Sequence, residues 1–283
     1  MDASFEPDAA AFARFRQRAE GVVRVAIARA GAATRPQRVF ETGGLRARFP
    51  HAGADCEAVI VNTGGGMAGG DRAEVEIALG PGGRAMATTQ SAEKIYRAAG
   101  APVRIETRLK VESGAALVWA PQETLLFQGA HLLRRLEADV AEDAALTLLE
   151  ATVFGRIAHG ETRIDATFHD DWRVRRGGKL VFAEAVRLEQ AGARLDRPAV
   201  GAGARAIATL VHLAPDAADR LEAVRAALEA VAEAPGERLE AGAGIVDGCL
   251  VARVLSPAPQ RLRAALVAVL GALLGRGSPR VWS

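Results

Sequence analysis

The chain has 283 residues, 49 % of them hydrophobic and 25 % charged, and 36 basic against 34 acidic side chains give a formal net charge of +2. That length and apolar fraction suffice for a sizeable core in one large domain or two small ones. So balanced a charge excludes the broad attraction to nucleic acid or anionic membrane that a strongly basic chain would have.

Two cysteines far apart in sequence, Cys56 and Cys249, argue against a disulfide framework and for a reducing compartment. The first residues carry Asp2, Glu6 and Asp8 with no apolar run behind them, unlike a secretory leader. The most apolar stretch, residues 262–274, contains Arg263 and is shorter than the roughly 20 residues that a membrane-spanning helix needs. The expectation is a cytoplasmic protein with neither a membrane nor a nucleic acid as partner.

The first strongly patterned segment is Asn62-Thr63-Gly64-Gly65-Gly66-Met67-Ala68-Gly69-Gly70-Asp71-Arg72. Gly64, Gly66 and Gly69 have the spacing of a dinucleotide-binding loop, which needs a strand before it and a helix after it so that the helix N-terminus meets the pyrophosphate. Residues 59–61 supply a strand. The segment after Arg72 alternates, however, with Val75, Ile77 and Leu79 on one face and Glu74 and Glu76 on the other, which is the period of a half-buried strand. A glycine-rich connection between two strands, with positive backbone angles, is the structural reading. A nucleotide-dependent enzyme built on Gly64 to Gly70 is the alternative.

Residues 103–111 alternate again, with Val103, Ile105, Leu109 and Val111 opposite Arg104, Glu106, Arg108 and Lys110. A weak repeat joins Gly82-Gly83-Arg84-Ala85-Met86, Ser113-Gly114-Ala115-Ala116-Leu117 and Glu142-Asp143-Ala144-Ala145-Leu146, each set between two apolar runs. Each has the residues of a tight turn, with small side chains that let layers approach. Either this is coincidence in an alanine-rich chain, or the first two thirds form a layered, solenoid-like β-body.

The last third changes character. Residues 204–213 read as a strand, and 216–234 as a helix with Leu221, Val224, Leu228 and Val231 on one stripe, closed by Pro235-Gly236. Two short strands come next, near 238–241 and 250–255. A second helix begins after Pro257 and turns Leu262, Leu266, Val269, Leu270 and Leu273 inward. The fold class expected is mainly β, with a β-rich body over residues 1–203 and a smaller α+β section over 204–283 packed on it as one unit.

No motif announces catalysis. His51, His131, His159, His169 and His212 do not recur at ligand spacing on any strand or helix, and Cys-x-x-Cys is absent. His51 and Cys56 share one loop region. The serines lack a nucleophile-elbow setting, and aromatics are 5 % of the chain with no basic interleaving for single-stranded nucleic acid. Three acids lie in apolar or turn surroundings: Asp71 at the end of the glycine-rich segment, Glu150 after Leu148-Leu149, and Glu184 within Leu180-Val181-Phe182-Ala183-Glu184-Ala185-Val186. Each is either on a wet face, buried with a partner such as Arg72, Arg156 or Arg187, or part of a polar path through the interior.

Five blocks in order carry a family resemblance. They are Gly65-Gly66-Met67-Ala68-Gly69-Gly70-Asp71-Arg72, Thr88-Thr89-Gln90-Ser91-Ala92-Glu93-Lys94-Ile95-Tyr96-Arg97, and Trp119-Ala120-Pro121-Gln122-Glu123-Thr124-Leu125-Leu126-Phe127-Gln128-Gly129-Ala130. Gly155-Arg156 with Gly160-Glu161 and the terminal Ser278-Pro279-Arg280-Val281-Trp282 complete them. Together they resemble the urease accessory protein D family, called H in some organisms. Three departures stand out: Val61-Asn62-Thr63-Gly64 where the family often has His-Pro-Pro, Glu150 after Leu149 where many members have Asp after Trp, and Ser278 in place of the usual Leu.

The resemblance implies a mostly β fold with late helices and a chain that is not an enzyme. It implies binding to apo-urease and to accessory protein F, which recruits the nickel-carrying GTPase, accessory protein G. No cofactor would be held tightly. Nickel, with bicarbonate as a second traveller, would pass through an internal polar passage at positions matching Asp71, Glu150 and Glu184, because weakly held carboxylate oxygens guide a divalent ion without trapping it. Lys94, Tyr96, Arg97 and the block from Pro121 to Gly129 would serve fold or contact, with the tyrosine expected in the core. A pure interaction scaffold without an ion path shares every one of these motifs.

Overall fold

The alternation resolves into two stacked sheets in the computed structural model, which describes residues 18–50, 53–161, 163–275 and 278–282. In chain order the strands are β1 (Glu20–Ala30), β2 (Ala33–Thr42), β3 (Leu45–Arg48), β4 (Cys56–Asn62), β5 (Arg72–Leu79), β6 (Arg84–Thr89), β7 (Glu93–Ile95), β8 (Val103–Val111), β9 (Ala116–Trp119), β10 (Thr124–Leu126), β11 (His131–Val140), β12 (Ala145–Phe154), β13 (Thr167–Arg176), β14 (Lys179–Leu188), β15 (Ala206–Leu213), β16 (Glu240–Val246) and β17 (Cys249–Ser256). The helices are α1 (Ala191–Leu195), α2 (Leu221–Glu233) and α3 (Pro259–Leu274). The first sheet has the order β14-β13-β11-β8-β5-β1-β2. The second has the order β16-β17-β15-β12-β9-β6-β4-β3, with β10 pairing β12 and β7.

From β4 to β13 the chain coils between the sheets. The strands β5, β8, β11 and β13 run parallel in the first sheet, and β4, β6, β9 and β12 run parallel in the second. The reversals that join them are the repeated turn segments, stacked on one another. The Gly82 N–H donates to Ser113 O and the Ala145 N–H to Ala115 O, both at 2.9 Å, and Ser113 Oγ donates to Asp143 Oδ2 at 2.8 Å. Gly82 and Gly114 sit at φ 61° and 64°, where a side chain would be strained. The weak repeat is therefore a true coil repeat. It ends at Gly177-Gly178, where the chain doubles back into β14.

The alternation predicted for 74–79 and 103–111 is seen in β5 and β8, which turn Val75, Ile77, Leu79, Leu109 and Val111 into the layer between the sheets, against Ala85, Leu117 and Leu146. The opposite face of the first sheet is wet and carries ion pairs such as Arg24–Glu74, Arg108–Glu106 and Arg135–Glu137. The second sheet is covered on its other side as well, by Val224 and Leu228 of α2 and by Leu262, Leu266 and Leu270 of α3, which pack against Leu149, Ala151 and Val153 of β12. Burial on both faces is why β12 reads as a nearly continuous apolar run.

The chain from β15 onward extends the second sheet. β15 pairs antiparallel with β12, β17 with β15, and β16 with β17. The helix expected over 216–234 starts as a tight turn at Ala218–Arg220 before α2 begins at Leu221. α3 opens on Pro259 and stops at Gly275, at φ 60°, and its five expected inward residues are all buried. α1 has five residues, too few to show a period in the sequence. Residues 63–71 join β4 to β5 with no intervening helix, so the arrangement that a dinucleotide loop needs does not form there. His51 lies outside the described residues.

Candidate functional site

Strand alternation places four charged residues on faces that are otherwise apolar. Arg134 lies between Leu132 and Leu136 on the inward face of β11, and Asp170 between Phe168 and Trp172 on β13. Glu184 lies between Phe182 and Val186 on β14, and Glu150 between Leu148 and Thr152 on β12. All four are buried, from 4 % to 8 % exposed, so each must find a partner.

Arg134 supplies most of the pairing. Its Nε and Nη2 donate to the two oxygens of Asp170 at 2.9 and 2.6 Å, and Nη1 donates to Glu150 Oε2 at 2.6 Å. Longer bonds of 3.3 Å reach the hydroxyls of Thr124 and Thr152. The other oxygen of Glu150 accepts from the Trp119 indole at 2.9 Å. Glu184 crosses from the first sheet to the second, accepting from Thr209 Oγ1 at 3.0 Å and from Arg253 Nη2 at 2.7 Å.

Burial pushes the Glu150 carboxyl above its ordinary pKa, against the pull of Arg134, and the like charge of Asp170 adds to the rise. Burial opposes the charge on Arg134, but Asp170 and Glu150 hold its pKa above the usual guanidinium value. Burial also raises Glu184, opposed by Arg253 and the Thr209 hydrogen bond. One cation facing two carboxylates leaves a negative charge uncompensated, and such a cluster favours a further proton or cation.

Two cavities meet at this cluster. One, of about 110 Å³, extends from Gly65, Gly66, Glu93 and Lys94 past Thr107 and Thr124. The other, of about 160 Å³, extends past Asp170, Glu184 and Thr209 to Arg253 and Val200. Arg134 and Glu150 are the residues common to both linings. At one end Lys94 is exposed, and at the other the Arg253 side chain is 58 % exposed. Asn62 Nδ2 donates to both oxygens of Glu93 at 3.0 Å, and burial raises that carboxyl. Carboxylate and hydroxyl oxygens in this order suit passing contact with a divalent cation. Among the described residues no three His, Cys, Asp or Glu side chains gather as a metal site.

The three acids singled out from the sequence do not converge. Glu150 and Glu184 face the same second cavity, but Asp71 is not among the residues lining either one. Its carboxylate accepts from the backbone N–H of Ala19 at 2.9 Å and of Ala68 at 2.8 Å, which closes the glycine-rich turn. The arginines proposed from sequence proximity are not the partners. Arg187 pairs with Asp171 and Arg156 with Glu161, because a buried strand residue meets neighbours from other strands, distant in sequence.

The remaining motif residues form two groups. Tyr96 packs edge-on against Phe127, with ring centroids 5.2 Å apart, and the Arg156 guanidinium lies 4.9 Å from the centroid of the same Phe127 ring. Tyr96 is 41 % exposed, not in the core, because β7 ends at Ile95. Gly155, at φ 100°, approaches Glu161 so closely that a Cβ would lie 2.2 Å from its carbonyl, and Gly160 caps the turn between them. Gly129 abuts the Arg97 side chain, and Gly69 abuts Ala98. Gly70, at φ 93°, lies against Arg18.

The second group is a latch at the C-terminus. The Trp282 indole donates to Thr88 Oγ1 at 3.1 Å, and Gln122 Nε2 donates to Val281 O at 3.0 Å. Arg263 of α3 grips both oxygens of Glu123 and donates to Trp282 O. Pro121 and Gln122 also line the first cavity. Pro279 and Arg280 lead into this latch through the short turn Arg280–Trp282.

Sequence reasoning missed Arg134, Asp170, Arg253 and Glu93. For the first two a signal existed: a charge at an inward position of a clean alternating strand. His131 and His169, on neighbouring strands, come to 6.4 Å between ring centroids, a proximity that depends on the β11–β13 register.

A family model described as UreD urease accessory protein matches residues 19–283. The urease accessory protein UreD of Methylobacterium sp. strain 4-46 is 48 % identical over 272 residues, covering 94 % of this chain and 95 % of that protein. The urease accessory protein UreD 2 of Methylorubrum populi is 48 % identical over 274 residues, covering 94 % and 91 %. The urease accessory protein UreD of Xanthobacter autotrophicus is 46 % identical over 269 residues, covering 95 % and 91 %.

Proposed function

This chain belongs to the urease accessory protein UreD family, and from that premise we propose that it acts in urease maturation as a non-catalytic conduit for nickel into apo-urease. The observation that carries the conduit reading is the pair of cavities meeting at Arg134 and Glu150 inside an otherwise apolar layer. Nickel is cargo here, handed along by oxygen donors that bind weakly enough to release it. The ends of the passage, near Lys94 and near Arg253, would face two partners: apo-urease, and accessory protein F with its nickel-carrying partner G. This work would be done in the cytoplasm, where urease is assembled.

Activation of apo-urease in a host lacking only this protein tests the role, with nickel content of the purified urease as readout. Restoration of nickel and activity by this chain supports maturation. Equal filling without the chain overturns it. Glu184→Gln then tests the path: lower nickel loading with complexes intact supports it.

A second reading, a scaffold with no ion path, is favoured by the fact that Glu150 and Glu184 each already have a protein cation, Arg134 and Arg253. Normal loading by folded Glu150→Gln and Glu184→Gln variants would establish it.

A further inference from the structure

We infer that Arg134 is the gate of the interior passage, closing it by bridging Glu150 and Asp170 where the two cavities meet, an inference that rests on the conduit reading above. Arg134 and Glu150 are the residues shared by the two linings, so their 2.6 Å ion pair stands between the cavities. The planar guanidinium fork spans two carboxylates from different sheets, a task that suits arginine and that an ammonium cannot reproduce.

The bridge is also built to move. Among the described residues, all the hydrogen bonds of the Arg134 side chain go to other side chains, those of Thr124, Glu150, Thr152 and Asp170, and none to the backbone. Its release therefore leaves both sheet ladders intact. A place for the freed guanidinium lies on the second-cavity side. Phe168 already sits under it, with the guanidinium carbon 5.4 Å from the ring centroid, and Glu184 lines the same cavity.

Charge supplies the trigger. Two carboxylates carry two negative charges and the guanidinium returns one. A divalent cation arriving from the first cavity matches the pair in full and competes for the same oxygens. The gate therefore opens to its cargo and closes behind it, and the empty passage does not leak ions.

The test uses the full accessory complex with apo-urease and nickel(II) chloride at limiting concentration. Arg134→Met combined with Asp170→Asn removes the guanidinium together with one carboxylate, so the buried net charge is unchanged, and Glu150 loses its cation but keeps the Trp119 hydrogen bond. The variant should melt below wild type, because Glu150 has lost its cation, yet still fold, form the complex, and fill urease with nickel severalfold faster. A folded, complex-forming double variant that loads at the wild-type rate or more slowly overturns the gate.

Should the double variant fail to fold, Arg134→Lys decides. It keeps the charge but cannot span both acids, and an unchanged loading rate overturns the gate equally. Thr209→Trp, which fills the second cavity, separates the two ideas. If it stops loading while the Arg134 variants change nothing, the conduit stands and the gate falls. If a folded Thr209→Trp protein loads normally, the conduit itself has failed.

Discussion

The Trp119 indole on β9 and the Glu150 carboxylate on the adjacent β12 are joined by a 2.9 Å hydrogen bond inside the sheet-to-sheet layer. This bond commits Oε1 and leaves Oε2 to Arg134. The orientation of the carboxylate at the junction of the two cavities is thus set by an aromatic neighbour and not by the cation alone. Trp119 supports the ionised form, since its hydrogen bond works against the upward push of burial on the Glu150 pKa.

Trp119→Phe should therefore cost stability in a pH-dependent way. Without the indole donor, Glu150 rises further. A folded-state carboxyl with a raised pKa binds more protons than the unfolded chain does, so stability falls as pH rises through that range. Relative to wild type, the variant should be least affected where Glu150 is protonated and most affected where it is ionised, by about 1–3 kcal/mol. Urea unfolding across pH measures this. A penalty that does not vary with pH would mean that only packing was lost.

His212 gives the opposite sign. It faces Thr147 across the β12–β15 pair, with Nδ1 2.9 Å from Oγ1. Burial lowers its pKa from 6.5 to about 4, with Asp216 pulling upward and Arg220 downward. The folded protein holds the imidazole neutral while the unfolded chain takes up a proton below 6.5. Stability is thus present in full above that value and is lost as pH falls towards 4, by roughly 3 kcal/mol. His212→Phe should flatten this slope in thermal melts followed against pH. An unaltered slope would place the acid sensitivity elsewhere.

These interior groups also show what the sequence made legible. Period-two alternation disclosed β5 and β8, and the three turn segments disclosed the coil, because both signals are local in the chain. Arg134 and Asp170 were legible in principle, each a charge on an apolar strand face. That they meet could not be read, because it needs the parallel β11–β13 register, which pairs Arg134 with Asp170. Glu150 and Glu184 stood out by their apolar neighbours, but their partners Arg134 and Arg253 lie 16 and 69 residues away. Asp71 was grouped with them on sequence grounds, and in the structure it lines neither of the two cavities and accepts from the Ala19 and Ala68 N–H groups.

That difference is open to measurement. Asp71 holds the end of the glycine-rich turn by accepting the Ala19 and Ala68 N–H groups, and its own N–H returns to Ala68 O at 2.9 Å. Asp71→Ala leaves two partly buried donors unpaired, at roughly 1–3 kcal/mol each. Asp71→Asn keeps one acceptor and should lose about half as much. Because the carboxylate lines neither cavity, nickel loading per folded molecule should stay at the wild-type level in both variants, while yield and melting temperature fall in the order wild type, Asn, Ala. The informative comparison is Glu184→Gln, which keeps the Thr209 contact but lacks the charge facing the second cavity. Under the conduit reading it lowers loading with little change in melting temperature. Should Asp71→Asn instead lower loading at full stability, the passage would have to extend through the glycine-rich turn.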